Sequence, residues 1–205
     1  MYTDLSYRIV LIALATGHLL LSRRYMQRAQ AGATLFQKRE EGPLLAGAAA
    51  LCFAGYALGV LVLLINPTWM AWAAMPLPGS LRWCGAPLMA LGAALHLWGA
   101  HHLGANLTVT ISTRAGHTLV TSGPFQWVRH PLYSGGMLES IGVCLLLGSG
   151  VVAVFAAGFW GVVVWRTRLE EDALVVAFGE PYRAYRERVG RFVPVWRGRP
   201  GHKGD

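Results

Sequence analysis

The chain has 205 residues, of which 54% are hydrophobic and 14% are charged, against about 25% charged in an ordinary soluble domain. That balance points away from a soluble globular protein and toward an integral membrane protein of one folded unit. The net charge of +8 does not argue for nucleic acid, because the cations flank apolar runs and form no basic stripe interleaved with exposed aromatics. They suit topology and anionic headgroups instead.

A bilayer core of about 30 Å takes roughly 20 apolar residues per helix. In chain order the predicted spans are Leu5 to Ser22, Leu44 to Ile65, Trp83 to Ala100, Pro131 to Gly148 and Val151 to Trp165. The first begins almost at Met1 with no basic leader, and reads as a retained helix. Only Ser149 and Gly150 separate the last two, which read as a short helical hairpin that barely crosses the membrane. The expected architecture is all-α and polytopic. Three N-terminal helices fill residues 1–100, a cofactor-binding catalytic half fills 101–194, and a Gly- and charge-rich flexible tail fills 195–205.

The loops differ in charge. Segment 23–43 holds five Lys or Arg, segment 66–81 none, segment 101–130 two, and the stretch after Trp165 nine. Positive loops stay in the cytoplasm. Five spans then put the N-terminus outside and the C-terminus inside, with every motif-rich segment on the cytoplasmic face. Trp69 and Trp72, in the uncharged loop, fit an outer aromatic belt. Cys52, Cys84 and Cys144 lie in or beside apolar runs without metal-ligand spacing, and read as small core residues. His18 and His96 read as core histidines and His101-His102 as a helix cap, so no metal site is expected.

Two polar blocks stand out. In the first, His117 to Gly135, His130 precedes Pro131, which suits the first turn of a helix. The free N–H groups and positive dipole end there favour an anion, beside Arg129 and His130. Phe125 and Trp127 offer flat apolar faces after the Gly123-Pro124 turn. The plainer reading is an interfacial anchor. In the second block, Arg166–Glu170 and Arg168–Asp172 are spaced for surface ion pairs. Glu170 and Glu171, being adjacent, point about 100° apart and are no two-carboxylate catalytic pair. Together the blocks bring cations, anions and aromatic rings to one membrane face.

The run Arg129-His130-Pro131-Leu132-Tyr133-Ser134-Gly135, followed by Glu170-Glu171, resembles the signature of the isoprenylcysteine carboxyl methyltransferase family, whose wider relatives include membrane phospholipid methyltransferases. His117-x-Leu119-Val120-x-x-Gly123-Pro124 and Phe178-Gly179-x-x-Tyr182-x-x-Tyr185 are similar to that family as well. The resemblance covers 103–194. It implies a helical membrane methyltransferase with S-adenosyl-L-methionine in a cytosol-facing pocket. By position, His117, Leu119, Val120, Gly123, Pro124, Phe125, Arg129, His130, Pro131, Tyr133 and Glu170 would line the cofactor. Arg129, His130, Glu170 and Glu171 would form the catalytic group. Tyr182, Tyr185, Arg186 and Arg191 would approach cofactor or substrate. Phe125 stands where many relatives carry Tyr.

The implied acceptor is lipophilic, foremost the carboxylate of an isoprenylcysteine-like substrate, with a phospholipid amine or a small thiol as alternatives. A carboxylate acceptor needs orientation rather than a base, and Arg168, Arg186 and Arg191 are candidates to hold it. Glu139 lies inside the fourth span, where an ionisable group is costly. It either lines an opening for the acceptor or is paired with His96 or the backbone. Two other readings remain open: a nicotinamide-dependent membrane reductase and a non-enzymatic membrane protein.

Overall fold

The structure is a computed structural model and describes residues 5–31, 42–104 and 118–195. Among these, seven α-helices follow in chain order: α1 (Leu5–Ala31), α2 (Pro43–Ile65), α3 (Gly79–Trp83), α4 (Gly85–Leu103), α5 (Pro131–Leu147), α6 (Gly150–Phe178) and α7 (Glu180–Arg188). Short 3₁₀ turns cover Pro67–Ala73 and Gly123–Gln126. The first four predicted spans each have a helix, with ends displaced by at most three residues except that α1 runs nine residues past Ser22.

Among the described residues, three stretches are long and apolar enough to cross a membrane: Leu5–Tyr25, Pro43–Ile65 and Gly150–Phe178; Pro131–Leu147 is apolar but shorter. Their outer faces expose Ile9, Leu19, Leu51, Leu58, Leu61 and Val154, a surface that suits hydrocarbon and not water. The chain is a multi-pass integral membrane protein.

Glycines decide which helices pair. Along α4, Gly85 and Gly92 sit seven residues apart, as do Gly135 and Gly142 along α5. A Cβ on Gly85 would lie 2.4 Å from the Gly142 carbonyl oxygen, and one on Gly92 would lie 2.5 Å from that of Gly135. Residue numbers rise on one helix as they fall on the other, so the two run antiparallel with backbones nearly touching, as small residues permit between membrane helices. In the same way Gly55 of α2 takes the Phe155 ring of α6, and Gly158 faces Cys52. The expected pairing of the last two spans is therefore secondary: α5 lies along α4 and α6 along α2.

The predicted short fifth span also needs correction. α6 is one helix of 29 residues, about 43 Å at 1.5 Å per residue. Its apolar part ends near Trp165, but no Gly or Pro interrupts 166–178, so the helix continues past the apolar run until Gly179, whose φ of +61° breaks it.

One end of the bundle is closed by two arginines that cap helix C-termini, where carbonyls lack partners. Arg8 donates to the carbonyls of Leu64 and Ile65 on α2. Buried Arg82 donates to the Leu146 carbonyl on α5 and lies 4.0 Å from the Tyr7 ring centroid. This accounts for the charge near the start of the first span. The opposite end gathers the C-termini of α4 and α6, the N-terminus of α5, and α7. Both polar blocks meet there.

Candidate functional site

The site is assembled around the start of α5. Gly123, with φ of +60°, lets the chain turn against His102, and a Cβ there would meet the imidazole at 2.4 Å. The 3₁₀ turn that follows buries Pro124 and Phe125. Val128 then pairs in parallel with Gly190. The amide of Arg129 donates to the Gly190 carbonyl at 2.8 Å and that of His130 to the Arg191 carbonyl at 3.0 Å. Gly190 is required there, since a Cβ would stand 2.0 Å from the Val193 oxygen. Segment 190–192 is thus laid against the start of α5, and Ser134 Oγ pins it by donating to the Phe192 carbonyl at 2.7 Å.

Pairing to that segment brings two arginines and a histidine to one carboxylate. Glu171, 1% exposed on α6, accepts from Arg129 Nε at 2.9 Å and Nη2 at 2.8 Å. It also accepts from Arg191 Nη2 at 2.6 Å and Nε at 3.2 Å, and lies 3.2 Å from His130 Nε2. Arg129 Nη1 continues to the carbonyls of Arg186 and Val189. A buried carboxylate is tolerable only when so paired. The bond to Glu171 raises the pKa of Arg191, keeping it charged. Glu170, one residue earlier, accepts from Tyr133 Oη at 3.0 Å. The Tyr133 ring stacks on His130 at 5.5 Å.

The C-terminal helix supplies a back wall. Tyr185 Oη donates to the Phe125 carbonyl at 2.6 Å. Tyr182 is 2% exposed, yet its hydroxyl has no hydrogen-bond partner among the described residues. Burial pushes both phenols well above their ordinary pKa, so they act as neutral donors.

Among the residues singled out in the sequence, Arg129, His130, Tyr133, Glu170, Glu171 and Arg191 come together, with Tyr182 and Tyr185 behind them. Leu119, Val120 and Gly123 are half-buried on the approach, and Pro131 is fully buried. Phe125 is buried and presents no open ring face, whereas Trp127 is 52% exposed and meets Trp98 edge-on at 5.3 Å. Arg168 stays on the α6 surface, 5.4 Å from the Trp165 ring, and the Arg186 side chain is exposed. Glu139 is eight residues beyond Pro131 along α5, about 12 Å deeper. It pairs with His18 at 2.6 Å rather than with His96. His117 lies outside the described residues. The sequence reading took His102 for a helix cap and passed over Gly190; their contacts with Gly123 and Val193 bring them to the site.

Residues 85–176 match the profile of the isoprenylcysteine carboxyl methyltransferase family. They span the glycine-matched helices α4 and α5, the Arg129-His130-Pro131 turn and the Glu170-Glu171 pair. That part of the chain resembles the isoprenylcysteine carboxyl methyltransferase family. The protein-S-isoprenylcysteine O-methyltransferase of Dictyostelium discoideum is 32% identical over 138 residues, 65% of this chain and 56% of its own length. The human protein of that name is 41% identical over 83 residues, 40% of this chain and 29% of its own length. The chain thus spans little more than half, or less, of these curated relatives. The solved eukaryotic intramembrane Ras methyltransferase, an isoprenylcysteine carboxyl methyltransferase, shares the fold with a TM-score of 0.54 and 22% identity, over 90% of this chain and 67% of that one.

Proposed function

We propose that the chain is an S-adenosyl-L-methionine-dependent methyltransferase of the membrane, acting on a lipophilic acceptor whose carboxylate resembles that of an isoprenylcysteine. The observation that carries this reading is the division of labour between adjacent carboxylates. Glu171 is held by Arg129, Arg191 and His130 and builds the site, which leaves Glu170 to take a ligand.

The residues suit that cofactor. A zwitterionic ligand with a sulfonium and an adenine needs an acceptor for its ammonium, donors for its carboxylate and an apolar face for its ring. Glu170, shared with Tyr133, offers the acceptor. Arg191, a third exposed, keeps N–H capacity beyond Glu171, and the Tyr182 hydroxyl is an unpartnered buried donor. Exposed Trp127 offers a ring face. His117, Leu119, Val120 and Gly123 would continue the wall from the upstream segment. Bound there, the cofactor supplies an electrophilic methyl group.

The chain's own part is orientation. Glu171 fixes Arg129, His130 and Arg191 relative to α5, so these groups need not reorganise on binding. An arginine holding the acceptor carboxylate would set its line of attack. Arg186 and Arg168, whose side chains do not join the Glu171 cluster, are the candidates. The charges of acceptor and cofactor cancel as the bond forms, so a site of low dielectric at the membrane face favours the reaction. No proton has to be removed.

We further read the chain as one domain crossing the membrane five times, with residues 101–194 as its catalytic half. The N-terminus faces out, and the site and C-terminus face the cytoplasm. The shared bundle end of both polar blocks and the excess of cations there support this orientation.

Calorimetric titration of the detergent-purified protein with S-adenosylmethionine and S-adenosylhomocysteine tests the reading. Saturable binding of both is expected, followed by methylation of a farnesylated cysteine analogue. A folded protein that bound neither ligand would overturn it, and binding of NADPH instead would identify a reductase.

A further inference from the structure

Away from the Glu171 cluster, three ionisable side chains from three helices converge inside the bundle. His18 of α1, His96 of α4 and Glu139 of α5 each offer one ligand atom, and these atoms lie within 4.8 Å of one another. His18 Nδ1 and Glu139 Oε2 are 2.6 Å apart, and the two imidazoles meet edge to face at 4.9 Å. Each group also holds one atom shielded from solvent and without a hydrogen-bond partner among the described residues: His18 Nε2, His96 Nδ1 and Glu139 Oε1. Three such orphans in one place, at membrane depth, ask for something to bind them.

The donor set specifies what. Two imidazole nitrogens and one carboxylate oxygen suit a divalent first-row transition cation, and with an open fourth position they make a well-known zinc arrangement. Hard cations such as Ca²⁺ and Mg²⁺ prefer oxygen-rich shells. Ligand atoms around tetrahedral zinc stand about 3.4 Å apart, so side-chain rotations of about an ångström close the site. The trio opens on a cavity of about 460 Å³, walled by Leu19, Phe53, Tyr56 and Trp160. That cavity leaves room for a water or an exchangeable ligand in the fourth position.

We propose that His18, His96 and Glu139 form a binding site for a divalent transition cation of the zinc type, which clasps α1 to the α4–α5 pair. No helix carries more than one of these ligands, so sequence spacing could not reveal the set. Its residues lie deeper in the bundle than the Glu171 cluster and share no ligand with it.

The test is metal binding by chelator-stripped protein in detergent. Zn²⁺ would be titrated in competition with a chromophoric chelator, and Co²⁺ followed by its visible d–d absorption. Wild type should take one equivalent per chain and show the bands of four-coordinate cobalt. His18→Gln, His96→Gln and Glu139→Gln should each loosen binding at least 100-fold, while His101→Gln stays within threefold of wild type. Wild-type melting should also rise with Zn²⁺, a readout that needs no variant to fold. Absence of one-equivalent binding in the wild type would overturn the proposal, and would leave a bridging water as the partner of the orphans. Binding that all four variants retained would overturn it equally.

Discussion

Glu170 and Glu171 are adjacent in sequence, yet Glu171 is locked to Arg129, His130 and Arg191, while Glu170 accepts from the Tyr133 hydroxyl. One peptide unit separates a group that holds the site together from one available to a ligand. The 100° turn between successive helix residues is the cause.

The two positions should therefore respond differently to substitution. Glu171→Ala leaves Arg129, His130 and Arg191 around an empty space and is expected to cost about 3–5 kcal/mol of stability. It should appear as a lowered melting temperature and loss of S-adenosylmethionine binding. Glu170→Gln should leave melting within about 0.5 kcal/mol of wild type and weaken that binding about 10- to 100-fold, as loss of one charged hydrogen bond does. Equal melting losses in both variants would contradict the division.

Tyr182 and Tyr185 provide a second contrast. Tyr185→Phe removes a bond to the buried Phe125 carbonyl and should destabilise the protein by about 1–3 kcal/mol. Tyr182→Phe removes a hydroxyl that has no partner, so stability should hold or rise. Weaker cofactor binding by a fully stable Tyr182→Phe protein would show that the ligand takes this donor. Unchanged affinity would leave the hydroxyl outside the cofactor site.

The α4–α5 contact predicts a positional effect. At Gly92 an alanine methyl would meet the Gly135 carbonyl oxygen at 2.5 Å, so Gly92→Ala should separate the helices and cost about 2 kcal/mol or more, by overpacking. Gly47, on α2, has nothing within 4 Å of its would-be Cβ. Gly47→Ala should be neutral or stabilising, because alanine favours a helix by about 1 kcal/mol. Thermal melting in one detergent compares them directly.

Orientation has its own check. Cys84 is exposed at the bundle end opposite the Glu171 cluster. In a Cys52→Ser/Cys144→Ser background, a membrane-impermeant maleimide added to intact cells should label Cys84. Labelling only after the cytoplasmic face is opened would reverse the proposed topology.

Much of this molecule could be read from its chain. Apolar runs located the helices, and the Arg129-His130 and Glu170-Glu171 blocks identified residues that do converge. Length was misjudged at α6, because hydropathy marks where apolar sequence stops and not where a helix stops. The pairing of α5 with α4 was missed, although glycines at intervals of seven stood in plain view. A small residue announces close packing only when its partner is known. The His18–Glu139 pair joins residues 121 positions apart, and no local pattern encodes such a distance.

The continuity of α6 makes it a lever. Phe155, seated on Gly55 amid the lipid-facing helices, and Glu171, at the site, ride on the same rigid rod, about 24 Å apart. A bilayer whose thickness changed the tilt of that rod by about 10° would swing the carboxylates by about 4 Å. That swing exceeds the length of any hydrogen bond that holds them.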